Sequence, residues 1–444
     1  MKRIIHNNTI TSFLLAVTLF SCKKEYESLN GPSVEDYVKN ATPAQLNSLV
    51  TGSLSGMRNN ENTYLDDVGV IGREIYRYSN ADPRFTSDLL GYGKTTLNNT
   101  GFYITNPWSS RYRTVKNCNV LIEAATNSTL IADNERKGYL GFAKTLKAYE
   151  LLLNLNLTYS NGIRVDVADP NKLGPILGYN ESITAIASLL DEANADLSGA
   201  TINFPMPGFD GLNDAAGFAK VNRALAARVA VYREQWADAL TDISQSFFSL
   251  AGGFYTGAFE VFSTSSGDIL NPVYVGQNQN GEVRLAEPHF TTEILPGDDR
   301  INKATLRDAP ASKDGLTSDR DVWVYTSSTA PIPIIRNEEL ILIYAEAKIQ
   351  TNDFNAAVTA LNVIRKGHNL PNYSGVVAHD PLINEMLYQR RYSLYFEGHR
   401  WIDMRRYGML HPNPAKGIPG LPIARTEPTD RDNVWDEFPL PSTE

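Results

Sequence analysis

The sequence predicts a mainly α-helical protein of stacked helical hairpins carrying long irregular insertions. Three observations predict it. Apolar residues recur at helical spacing in nine segments spread along the 444 residues. Two distant segments share one pattern of small and aromatic residues. Between the helical runs lie stretches too long to be simple connectors.

Helical periodicity marks Val34–Gly56, Trp108–Ala125, Glu135–Thr158, Ser182–Leu197, Lys220–Arg233, Ala237–Phe248, Asn337–Thr351, Asn355–Lys366 and Pro381–Phe396. Ser33 and Asp133 supply capping residues, each with acids in the turn that follows. The repeated pattern runs from Ala227 to Trp236 and Ala239, and again from Ala345 to Phe354 and Ala357. Small residues let two helices approach, and the aromatic wedges the turn between them. This is the grammar of a tetratricopeptide-like helical hairpin. The two copies begin 118 residues apart, so insertions separate the repeats.

Three irregular stretches are expected, over Asn59–Pro107, Gly199–Gly217 and Ala251–Pro333. Within the last, Asn271–Val275 and Val322–Tyr325 resemble short strands. A helical scaffold bearing long loops places its recognition chemistry on those loops.

Composition is that of an ordinary globular protein, 42% hydrophobic and 20% charged. The net charge of −9 argues against nucleic acid as a partner, since that role calls for a basic face. Two cysteines, Cys22 and Cys118, cannot make a disulfide framework, and Cys118 reads as a buried small residue on a helix. The six histidines show no ligand spacing, so neither a metal nor another cofactor is expected.

The N-terminus reads as an address. Lys2 and Arg3 precede an apolar run over Phe13–Phe20, the length of a signal-peptide core and too short to span a bilayer as a helix. The run ends in Leu19-Phe20-Ser21-Cys22, which resembles a bacterial lipobox. That resemblance implies a signal peptide over residues 1–21, cleavage before Cys22 and a lipid on Cys22. Residues 22–32 then form a polar tether, and residues 33–444 a single folded domain with insertions at about 59–107 and 251–333.

The stretch Gln389–Gly408 packs Arg390, Arg391, Arg400, Arg405 and Arg406 with Glu397 and Asp403 among aromatic side chains. It could be a catalytic centre or an ion-paired helix-turn-helix. Glu397 and Asp403 have arginines on both sides and are expected to be salt-bridged and deprotonated, whereas a general acid needs a raised pKa. Gly398 stands where a C-terminal glycine would stop the helix ending at Phe396. The clamp reading wins, and Arg400 is expected to serve stability.

Several segments together resemble the SusD/RagB family of outer-membrane lipoproteins. They are the lipobox at Cys22, Arg113–Ile122, Ala143–Tyr149 with Leu157–Ile163, Lys220–Val229, Leu342–Ala347 with Ala360–Arg365, Arg390–Gly408 and Phe438–Pro441. The resemblance runs essentially the full length, and Arg390–Gly408 is its most specific part. It implies a lipid-anchored, α-helical binding protein at the outer membrane, facing the cell exterior, that hands glycans to a SusC-like TonB-dependent transporter. The chain departs from the family at Tyr159-Ser160-Asn161-Gly162, where a Tyr-Gly pair is usual.

Glycan binding needs aromatic faces for the apolar side of a sugar ring and planar polar groups for its hydroxyls. Arg73, Tyr76, Asp82, Arg84, Tyr92 and Trp108 offer that mixture around the first insertion, and Tyr274 and Trp323 in the second. Two other readings remain, a lipid-anchored glycan hydrolase and a helical scaffold binding a peptide or protein. The first would use two carboxylates across a cleft. Asp66-Asp67, Asp298-Asp299 and Glu338-Glu339 are adjacent in sequence, which fixes no such distance, and no nucleophile or nucleotide motif is present.

Overall fold

The structure, a computed structural model, describes residues 34–444 with the exception of residue 429. The expectations for the leader, Cys22 and the tether lie outside the described residues.

Two helices, α1 (Val34–Asn40) and α2 (Pro43–Met57), divide the single helix expected over Val34–Gly56. Pro43 is the cause, because it disfavours helical backbone at the residue before it. Thr42 is accordingly extended, and it forms a reciprocal capping box with Gln45. Helix α3 (Glu61–Ile71) lies inside a stretch expected to be irregular. All but one of its residues are buried, so it carries no polar stripe to reveal a helical period. Strand β1 (Ile75–Tyr78) follows.

Helix α4 (Phe102–Asn127) starts six residues before the expected Trp108. Pro107 sits within its second turn, and buried Tyr103 holds the turn before it, donating its hydroxyl to Asp88 at 3.0 Å. Helix α5 (Asp133–Thr158) packs along α4. At 26 residues each, the two run about 39 Å and form the spine of the N-terminal half. The short pair β2 (Ile163–Arg164) and β3 (Ile176–Leu177) leads into α6 (Tyr179–Leu197), which packs on α5.

Helices α7 (Ala215–Tyr232) and α8 (Trp236–Gln245) form the first of the two repeated hairpins, with Glu234 in left-handed backbone (φ 57°) at the turn. The second insertion then contains β4 (Gly257–Glu260), β5 (Val283–Ala286), α9 (His289–Thr292), β6 (Ala304–Lys313), β7 (Leu316–Val322) and β8 (Ile332–Arg336). Next come α10 (Asn337–Gln350) and α11 (Phe354–Gly367), the second repeated hairpin, whose turn has Asn352 at φ 61°. Helices α12 (His379–Ser393) and α13 (Arg400–Arg406) close the helical part.

The two hairpins, distant in sequence, pack directly on each other, α10 against both α7 and α8. The insertion between them loops out, and its two ends are tied by antiparallel pairing of β4 with β8. Gly257 is required at that tie, since a Cβ there would stand 2.3 Å from the Ile335 carbonyl oxygen. The remaining strands make one sheet in the order β1-β5-β7-β6. Strand β1 comes from the first insertion and the other three from the second, so the two loops share a single antiparallel sheet.

Neither strand-like run is a strand of its own. The Asn271 side-chain oxygen accepts the N–H groups of Val273 and Tyr274, which curls Asn271–Val275 into a turn. Of Val322–Tyr325 only Val322 belongs to a strand, the end of β7.

The stretch Gln389–Gly408 is an ion-paired clamp. Asp403 accepts from Arg390 at 2.7 Å and from Arg406 at 2.9 Å, and Arg406 also reaches Glu346 at 2.8 Å. Burial alone would raise the Asp403 carboxyl, but Arg390 and Arg406 hold it at about 2. The Arg405 guanidinium lies over the rings of Tyr159 and Trp401 and donates to the carbonyls of Asp436 and Asn156. Glu397 pairs with Arg336, from the end of β8, and with none of the arginines beside it in sequence. Helix α12 stops at Ser393, three residues before the expected Phe396, because Lys303 and Arg336 take the Ser393 carbonyl, and Lys303 the Tyr392 carbonyl as well. Phe396 (φ 58°) and Gly398 (φ 84°) then reverse the chain.

Glu74, just before β1, is buried against this clamp. Among the described residues its carboxylate accepts only the Phe396 N–H, at 3.2 Å. Burial pushes its pKa up from 4.5 to about 8. The folded state therefore holds a proton that the unfolded chain releases above about pH 4.5. The stability this proton confers is complete below that pH and is lost as pH rises towards 8, by up to about 1.4 kcal/mol per pH unit. Glu74→Gln, a permanent mimic of the protonated form, is expected to flatten the dependence. Urea midpoints compared at pH 5 and pH 8 will show it, and an unchanged slope in the variant would refute the assignment.

Candidate ligand-binding site

The shared sheet brings the two insertions into one rim. At its centre is Glu282, next to β5. Its carboxylate accepts from Ser79 at 2.9 Å, from the Asn80 N–H at 2.8 Å and from Arg77 at 2.7 Å. The Ser79 hydroxyl accepts the N–H of Asp82, and Asp82 caps the turn holding Arg84 and pairs with it. The Arg84 guanidinium lies 4.6 Å from the centre of the Phe102 ring. Hydrogen bonding from Arg84 holds the Asp82 carboxyl below its usual range.

On the other side of Glu282 runs the exposed loop Gln277–Asn280. Arg307 of β6 ties it down, donating to the Gln279 carbonyl at 2.9 Å, and Asp321 of β7 accepts the Asn278 N–H at 2.7 Å. Arg307 and Asp321 are themselves ion-paired. Two residues beyond Asp321, Trp323 donates its backbone N–H to the Lys303 carbonyl at 2.7 Å. Its indole meets the Tyr274 ring at 6.1 Å between centroids, tilted by 50°. Both rings are half-buried.

Tyr274 is placed from below. Asn271 donates to the Ala330 carbonyl at 2.6 Å, and the Val273 carbonyl accepts from Arg284 at 3.0 Å. Arg284 in turn forks onto Asp66 of α3 at 2.6 and 2.7 Å. A buried ion pair thus fixes the turn that presents the ring. The Gln277–Asn280 loop begins three residues after Tyr274 and carries four side-chain amides, donors and acceptors both, of which the Asn278 oxygen accepts the Asp308 N–H at 2.9 Å. Such a surface offers apolar faces and hydroxyl-reading amides together.

Residues 305–437, from β6 through the clamp, match the model of the SusD family. Over that stretch, just under a third of its length, the chain is similar to the SusD family. Its fold is that of solved SusD-like structures. A surface glycan-binding protein A from Bacteroides uniformis superposes with a TM-score of 0.68 at 14% identity, over 90% of this chain and 97% of that one. A SusD-like carbohydrate binding protein from Bacteroides vulgatus gives 0.64 at 17% identity, over 82% and 83%. A SusD superfamily protein from Bacteroides thetaiotaomicron gives 0.66 at 15% identity, over 83% and 89%. No curated protein matches the sequence.

In this chain the eight candidate residues fall into separate places. Tyr274 and Trp323 meet, and Asp82 and Arg84 meet on the same rim. Arg73 is only 4% exposed and donates to four backbone carbonyls, those of Val70, Leu90, Pro422 and Asn433. It ties the C-terminal segment down. Tyr76, 3% exposed, packs beside Tyr78 in the core. Tyr92 lies under the Arg425 guanidinium, 3.9 Å from the ring centre. Trp108, 4% exposed, packs edge-on to Tyr112 and borders a separate groove on α4. Arg77, Glu282, Arg307 and Asp321, which hold the rim together, were not among the candidates. The run Gly276-Gln277-Asn278-Gln279-Asn280-Gly281 carries the turn residues that could have marked the amide loop.

Two of the adjacent carboxylate pairs are engaged structurally at both members, and the third at Asp66 alone, both Asp67 oxygens being buried without a hydrogen-bond partner among the described residues. Asp298 binds Arg300 and Asp299 binds His368. Glu338 binds Arg336 and His368, and Glu339 forks onto Arg228. Burial opposes ionisation of Glu339, yet Arg228 and His399 hold it at about 2. Asp66 binds Arg284, while burial and Asp66 keep Asp67 well above the usual carboxylate range. Among the described residues no cluster of His, Cys, Asp and Glu could hold a metal ion, and no helix is long and apolar enough to cross a membrane.

Proposed function

We propose that this chain is a cell-surface, lipid-anchored binding protein that captures oligosaccharides at the rim and delivers them to a SusC-like TonB-dependent transporter, without chemistry of its own. The observation that carries the reading is the half-buried Tyr274–Trp323 pair together with the amide loop Gln277–Asn280. Relatives of the same fold described as glycan-binding and carbohydrate-binding support the ligand class. The lipobox at Cys22 supports the anchor, and the family resemblance supports the transporter.

Isothermal titration of neutral oligosaccharides against the full chain, run beside an assay for released product, tests this reading. Saturable heat without product is the expected result. Product release points to a hydrolase, and silence across the panel points to a protein-binding scaffold. Cys22→Ala is expected to shift the protein out of the membrane fraction.

A further inference from the structure

Three segments, α12, α13 and Lys416–Ile423, enclose a cavity of about 620 Å3 that shares no residue with the rim. Its size falls within the roughly 300–1,000 Å3 typical of small-ligand sites. Arg400 lines it, and Arg400 is the exception within the clamp. Arg390, Arg405 and Arg406 are each bound to carboxylates or backbone carbonyls. The half-buried Arg400 guanidinium has no hydrogen bond, ion pair or ring contact among the described residues.

The cavity is also short of anions. Arg391 lines it, paired at the edge with the half-exposed Glu293, the single carboxylate in the lining. Lys416 lines it too, its side chain without a partner among the described residues. Glu74, whose charge acts most on Arg400 among the carboxylates, is kept protonated at neutral pH by its burial. Around these cations stand the flat or apolar walls of Tyr388, Met404, Pro419 and Pro422.

We propose that this cavity binds the carboxylate of an acidic sugar ring, with Arg400 as its anchor and Arg391 as its second cation. A guanidinium removed from water without an acceptor is costly, and a carboxylate matches its planar fork with two parallel hydrogen bonds. The ring carrying the carboxylate lies against Tyr388 and the prolines, apolar face inward. Recognition of the carboxylate stands on Arg400 and Arg391 alone. That a sugar carries it rests on the proposed function.

Titration of the full chain with D-glucuronate, and with D-glucose as its uncharged counterpart, tests the proposal. Glucuronate binds and glucose does not bind this site. Arg400→Gln weakens glucuronate by about 10-fold or more, the range for a lost charge-assisted hydrogen bond. Arg400 makes no internal hydrogen bond, so this variant is expected to fold with an unchanged melting midpoint. If it does not, Arg391→Gln, which breaks an edge ion pair with Glu293 and a ring contact with Tyr392, gives the same reading with a smaller loss. Trp323→Ala leaves glucuronate binding unchanged. Equal heats for glucuronate and glucose, or glucuronate binding that survives both arginine variants, overturns the proposal. Failure of neutral oligosaccharides alone counts against the rim and leaves this cavity standing.

Discussion

Arg336→Met is expected to destabilise the fold by about 3–5 kcal/mol, the cost of leaving buried charges without their partner. Arg336 is fully buried at the junction of β8 and α10. It holds Glu338 with one nitrogen, forks onto Glu397 at 2.9 and 2.8 Å, and donates to the Ser393 carbonyl at 2.6 Å. One side chain thereby joins the neck of the insertion, the start of α10 and the end of α12. Methionine fills much of the volume but strands two buried carboxylates. Lysine restores a charge without the fork and is expected to recover less than half of the loss. Pairing Arg336→Met with Glu397→Gln should cost less than the sum of the single changes, since the second removes a charge stranded by the first. Denaturant midpoints give all three numbers. A loss below about 1 kcal/mol for Arg336→Met would show that water reaches the cluster and that the clamp holds by packing alone.

This arrangement also shows where sequence reasoning reaches its limit. Glu397 invites pairing with the arginines beside it, yet its partner comes from the far end of an insertion. Local charge pattern cannot name a partner supplied by tertiary structure. Arg400 makes the same point in reverse, because its neighbours are all engaged and it is not. The stability role expected for it rested on that neighbourhood, and the structure places it at a cavity instead.

Helices with one wet face were readable from their period, and the paired hairpins from Ala227 to Ala239 and Ala345 to Ala357 were readable from the small-aromatic-small pattern. Helix α3 was hidden because it is buried on nearly every side. Burial likewise separates the candidate site residues. An arginine and two aromatics in a loop look alike whether they face water or the loop's own interior. Arg73, Tyr76 and Trp108 face inward because the first insertion is packed around α3 and β1. Tyr274 and Trp323 were visible as candidates, but only the sheet brings them together.

Trp323→Ala is expected to weaken oligosaccharide binding by roughly 10- to 100-fold, the range for removing a central aromatic anchor. Its indole and the Tyr274 ring meet at a 50° tilt, so each props the other and the pair presents two faces. Deleting the larger ring removes one face and frees the other to move. The indole is half-buried, so the stability change should stay within about 1 kcal/mol. That separates a binding defect from a folding defect. Asn271→Ala tests the same site from beneath. It removes the acceptor that curls the chain under Tyr274 and the donor to the Ala330 carbonyl, while both rings remain. A loss of about 3- to 10-fold is expected, because misplacing a ring costs less than deleting it. Titration of neutral oligosaccharides against the three proteins orders them as wild type, Asn271→Ala, Trp323→Ala from tightest to weakest. Full affinity in Trp323→Ala would move the site off this rim, and the groove on α4 beside Trp108 would then be the next place to look.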